Sequence, residues 1–94
     1  MDNLENLGKQ SIVNIKNTID FILDDYKGTK KQITYLNSLS KILIIEEEIL
    51  LLFQKYKSAK NKFEEERVMN EIDDLLGSKQ KICMDTIKKI KKTI

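Results

Sequence analysis

From Ile12 onward the apolar residues of this chain return every three or four positions: Ile12, Ile15, Ile19, Ile22 and Tyr26 form one line, flanked by Phe21 and Leu23. That spacing is the a/d seam of a helix packed against a neighbour. Upstream, Asp2 with Glu5 three residues later resembles a capping pair, and Leu4 and Leu7 open an apolar face that Gly8 interrupts weakly. The pattern predicts a first helix over residues 9–27, or from about residue 3 in its longer version. Gly28 supplies the left-handed residue that ends a helix, and Thr29 with Gln32 reads as a capping box for the next one. A connection of about two or three residues then sets helices 1 and 2 antiparallel.

Helix 2, expected over residues 30–58, keeps an unbroken seam: Tyr35, Ser38, Ile42, Ile45, Ile49, Leu52, Tyr56 and Ala59. A second row runs beside it, Leu36, Leu39, Leu43, Leu50 and Phe53. At about 100° per residue the two rows span an arc of roughly 200°, about twice the stripe of an ordinary surface helix. Helix 2 is therefore expected at the centre. Its oiliest stretch, residues 42–53, is broken only by Glu46, Glu47 and Glu48.

Lys55, Lys57 and Lys60 suit a helix C-terminus, and Asn61 followed by Glu64, Glu65 and Glu66 suits the start of the next. Helix 3, expected over residues 62–92, carries Val68, Ile72, Leu75, Leu76, Ile82, Cys83, Ile87, Ile90 and Ile94 at helical spacing. Gly77 and Ser78 offer an alternative, an end to this helix and a cap for a fourth, and DDLLGSKQKI there echoes DDYKGTKKQI around the first turn. A helix running on through Gly77 costs only about 1 kcal/mol relative to Ala. The expected fold is all-α: an antiparallel bundle of three long helices, four if the chain breaks at Gly77, in one domain spanning residues 1–94.

Composition sharpens this picture. With 94 residues, 40% hydrophobic, 34% charged and no Pro, the chain is helical in character and small enough for its core to be marginal alone, so self-association is expected. The chain has no His and one Cys, which excludes imidazole catalysis and the usual zinc and di-iron bundle sites. Cys83 lies among Leu76, Ile87 and Ile90 without a base and reads as a core thiol. Tyr26, Tyr35 and Tyr56 fall on seam positions and read as packing. Arg67 is the single arginine, too few for a helical enzyme that grips a dicarboxylate substrate. Glu46–Glu48 and Glu64–Glu66 are consecutive, so each triplet radiates around its helix instead of gathering into an acid–base or metal cluster. The reading is a non-enzymatic protein with no catalytic residue, metal or cofactor. The opening MDNLENLG lacks the basic and apolar regions of a signal peptide, and no apolar run approaches the roughly twenty residues of a membrane span. A soluble, cytoplasmic protein is expected.

Charge is polarised along the chain. Residues 79–94 hold six lysines and one aspartate, whereas residues 1–78 hold eleven basic and fourteen acidic side chains. Lys88, Lys89, Lys91 and Lys92 around Ile87 and Ile90 form a basic amphipathic end, which complements the helix dipole and is a candidate contact for nucleic acid, an anionic membrane surface or an acidic protein. Without interleaved aromatics or a helix-turn-helix signature, nucleic acid is the lesser alternative.

Around helix 2 the three glutamates differ. Glu47 and Glu48 lie on the polar face, but the helical neighbours of Glu46 are Leu39, Ile42, Leu43, Ile49, Leu50 and Phe53, so its carboxylate falls in the middle of the apolar arc. A buried charge needs a counter-charge. Either a cation of a neighbouring helix supplies it, or a partner does. Ile44 and Leu51, seven residues apart, stand on the polar face beside Glu47 and Glu48. More apolar surface than two helices can cover points to a protein-interaction module, an adaptor, chaperone or inhibitor, binding through Ile44, Glu46, Glu47, Glu48 and Leu51. A purely structural homodimer is the remaining alternative.

Overall fold

The computed structural model describes the backbone of residues 2–93 and the side chains of residues 3–92. It contains three helices, α1 (Asp2–Asp24), α2 (Lys30–Lys57) and α3 (Lys62–Thr93), and no strand among the described residues. They form the antiparallel three-helix bundle expected from the seams. Glu46 of α2 faces Lys79 of α3, and Ser38 faces Thr86; Glu5 of α1 reaches Lys57 of α2 at 3.1 Å.

Local chemistry sets the boundaries. Gly28 has φ +69°, the left-handed conformation that carries no Cβ penalty in glycine. Thr29 and Gln32 form the capping box: the Gln32 amide N–H donates to the Thr29 hydroxyl at 3.1 Å. The Gln32 side chain does more, donating to the Asp25 carbonyl at 2.8 Å and accepting from the Lys27 amide at 2.8 Å. It thereby holds the whole turn. As a result α1 stops at Asp24, three residues short of the expected 27, and the connection is longer than the two or three residues expected. The second boundary is as expected: the Glu64 amide donates to the Asn61 side chain at 2.9 Å, and the Glu64 carboxylate accepts from the Lys60 amide at 3.0 Å. α3 passes through Gly77 without a break. The capping role read for Asp2 rests on a side chain outside the described residues, as does the seam residue Ile94.

The core is narrow. Its buried apolar residues are Ile45, Ile49, Leu52 and Phe53 of α2 with Val68 and Ile72 of α3, and Tyr56, Met69, Leu75 and Ile82 pack against them. Cys83 is half-buried, in keeping with a packing thiol. Of the tyrosines expected to pack, only Tyr56 reaches the core; Tyr26 and Tyr35 are exposed, Tyr26 because the helix that would have carried it ends two residues earlier. Every described residue of α1 is half-buried or exposed.

The helices lie almost side by side. Among the described residues no Cα of α1 comes within 8 Å of one in α3; both helices pack on α2 alone. The molecule measures 50 × 24 × 16 Å, with a radius of gyration of 15.7 Å against about 12 Å for a compact chain of this length. The 200° arc of α2 is explained by this layout. One edge of it, through Ile45 and Leu52, packs in the cluster with Val68 and Ile72 of α3, and on the other edge Leu50 stands against Gly8 of α1.

Candidate functional site: the two faces of α2

Two concave features flank α2 in this open layer. On one side, between α1 and α3, a groove of about 410 Å³ is floored by Glu46, Ile49, Leu50 and Phe53 and walled by Leu4 and Leu7 of α1 and Ile72 and Leu76 of α3. Glu46 is 6% exposed and its carboxylate is paired with the Lys79 ammonium of α3. Of the two settings read for Glu46 in the sequence, the intramolecular counter-charge is the one observed. Ile49 and Phe53, beside Glu46 in the middle of the arc, are buried as well, so this groove is lined over a covered core.

The opposite side carries the remaining candidates. Ile44 and Leu51 are each 59% exposed, and Glu47 and Glu48 between them are exposed as well. Seven residues advance a helix by nearly two whole turns, so Ile44 and Leu51 lie on one line. Leu51 stands at the mouth of a cleft of about 630 Å³ between α2 and α3, whose apolar wall is completed by Leu52 and Leu75. Three carboxylates rim it, Glu48 from α2 and Glu71 and Asp74 from α3, against one cation, Lys55. Ile44, Glu47, Glu48 and Leu51 therefore share a face, and Glu46 stands apart from them across the helix.

Sequence reasoning missed the α3 half of this cleft. Glu71 and Asp74 come opposite Leu51 only through the antiparallel register that sets Glu46 across from Lys79. It also missed Thr86, which is buried. The Thr86 hydroxyl donates to the Ile82 carbonyl at 2.7 Å and lies 2.5 Å from the Ser38 hydroxyl. Because the Thr86 proton is committed, Ser38 is the donor. The available signal was its place four residues from both Ile82 and Ile90.

Lys88, Lys89, Lys91 and Lys92 are exposed at the end of α3. Lys88 borders a shallow depression with Gly77, Lys81, Met84 and Asp85. Among the described residues no cluster of acids and thiol has the makings of a metal site, and no helix is long and apolar enough to cross a membrane. No family model, no curated protein and no solved structure matches the chain.

Proposed function

We propose that this chain is a non-enzymatic protein-interaction module, working in the cytoplasm as an adaptor, chaperone or inhibitor, and that the outer face of α2 with its cleft against α3 is the docking surface. The observation that carries the reading is the exposure of Ile44 and Leu51 on one line beside an apolar cleft. Single exposed apolar residues are common on proteins, but aligned ones continuous with a concave apolar surface mark interaction sites. The acidic rim adds selectivity. Glu48, Glu71 and Asp74 favour a partner segment with apolar anchors flanked by cations, since charge complementarity speeds encounter and rejects acidic surfaces.

The test is capture by the immobilised chain and two variants, Leu51→Glu and Ile44→Glu. Both side chains are exposed, so helicity and melting temperature should stay within the range of surface substitutions, about 0.5 kcal/mol. Binding of partner protein should fall at least tenfold, because a new carboxylate would be desolvated at the contact. Capture as strong with Leu51→Glu as with the unaltered chain would end the proposal.

A further inference from the structure

We infer that the occupant of this face is a second copy of the same chain, docked antiparallel with a two-fold axis near Ile44. The inference rests on the reading of the outer face as a protein-docking surface and names its partner.

Surface area is the first support. The chain exposes 6976 Å², where a compact monomer of 11.0 kDa exposes about 5,600 Å². The excess, roughly 1,400 Å² per chain, is more than one side of a standard interface, about 800 Å², and doubled it falls in the range of obligate homodimers. Pairing two layers back to back is the direct way to bury it.

Charge selects the face and the register. α3 carries six carboxylates and two cations over residues 62–74, then six lysines and one aspartate over residues 79–92. A helix acidic in its first half and basic in its second is complementary to itself when two copies run antiparallel. The same polarity crosses the outer face: Glu48, Glu71 and Asp74 rim the cleft at one end, while Lys41, Lys88 and Lys92 are exposed toward the other.

Counting residues fixes the axis. Since Glu46 pairs with Lys79 and Ser38 with Thr86, Ile44 lies alongside Lys81. Asp74 is seven residues before Lys81 and Lys88 seven after, on one stripe of α3. A two-fold axis through Ile44 and Lys81 therefore brings Asp74 to the partner's Lys88, and sets Glu71 and Glu48 within one residue of the levels of the partner's Lys92 and the partner's Lys41. Ile44 meets the partner's Ile44. The two contacts on the axis, Ile44 with the partner's Ile44 and Lys81 beside the partner's Lys81, occur once, the two ammonium groups diverging into solvent; every contact off the axis occurs twice, as an isologous interface requires. The groove on the other side offers no such match, because its central charge, Glu46, is already answered by Lys79.

The test is the mass of the purified full chain by light scattering and sedimentation equilibrium, compared with Asp74→Lys, Lys88→Asp and the double variant. The unaltered chain should weigh about twice 11.0 kDa and dissociate more readily as salt rises. Each single reversal sets like charges together at two symmetric places and should weaken dimerisation roughly tenfold or more; the double variant should recover to within about threefold. Helical circular dichroism controls for folding. An unaltered chain of monomeric mass overturns the dimer. If that monomer still captures a different protein in a manner lost in Leu51→Glu, the docking face stands without the self-pairing. A dimer indifferent to Asp74→Lys, Lys88→Asp and Ile44→Glu overturns the register and the face together. Lysine-dependent binding to anionic vesicles or duplex DNA by a monomer assigns the basic end to an anionic ligand and likewise overturns the inference.

Discussion

At the residue scale the most consequential side chain is Glu46. It is a carboxylate set in the middle of an apolar arc and matched by a lysine 34% exposed at its side chain. Removing one member of a buried pair costs more than removing both, because the survivor keeps its desolvation penalty. Lys79→Met should therefore destabilise the fold by about 2 kcal/mol, below the full cost of orphaning a buried charge because the ammonium is partly solvated. Glu46→Leu combined with Lys79→Met should come within about 1 kcal/mol of the unaltered protein. Urea titration of both single variants and the double checks this; a double loss equal to the sum of the two single losses would mean the pair contributes no coupling. The position of Glu46 was legible from its helical neighbours alone, since they depend only on the 3.6-residue repeat. Its partner was not. Choosing Lys79 from seventeen basic side chains requires the register between α2 and α3, a tertiary property that no local pattern encodes.

At the scale of elements, the seams and caps made α2 and α3 readable almost to the residue, because Thr29, Gln32 and Asn61 are chemically specific stop and start signals. The end of α1 was misplaced because the Gln32 side chain captures the Asp25 carbonyl and the Lys27 amide, a tertiary use of a residue whose cap role alone was visible. α1 is also the weakly held helix. Among the described residues it contributes none to the buried cluster, packs on α2 alone and leaves Leu4, Leu7, Val13, Phe21 and Leu23 exposed. Local opening free energy follows buried contact, so the amides of α1 should exchange at least tenfold faster than those flanking Ile49 and Ile72 in α2 and α3. Hydrogen exchange read by mass spectrometry decides it, and uniform protection across the three helices would show that α1 is held by more than its packing on α2.

For the whole molecule, the width of the α2 arc announced that helix 2 would be central and overfull, and it is. What periodicity could not reveal is that the two flanking helices lie side by side with α2 between them instead of closing into a triangle. Both arrangements bury the same two rows of α2; they differ in whether α1 and α3 meet, which rests on the side chains of those two helices. The candidate site inherits that gap. Ile44 and Leu51 stood out at once, whereas the cleft beside Leu51 exists only because Glu71 and Asp74 arrive from another helix.

A slab 16 Å thick also has a distinctive response to denaturant. The slope of unfolding free energy against urea concentration scales with the area that folding hides, and a layer one helix deep hides little of its own. Alone, the chain should show a shallower urea slope than a compact domain of equal length; paired back to back, it should show a steeper one. Melts at widely separated protein concentrations would thus differ in slope as well as in midpoint, and a slope unchanged over a hundredfold range would mean that the thin layer unfolds from a single association state.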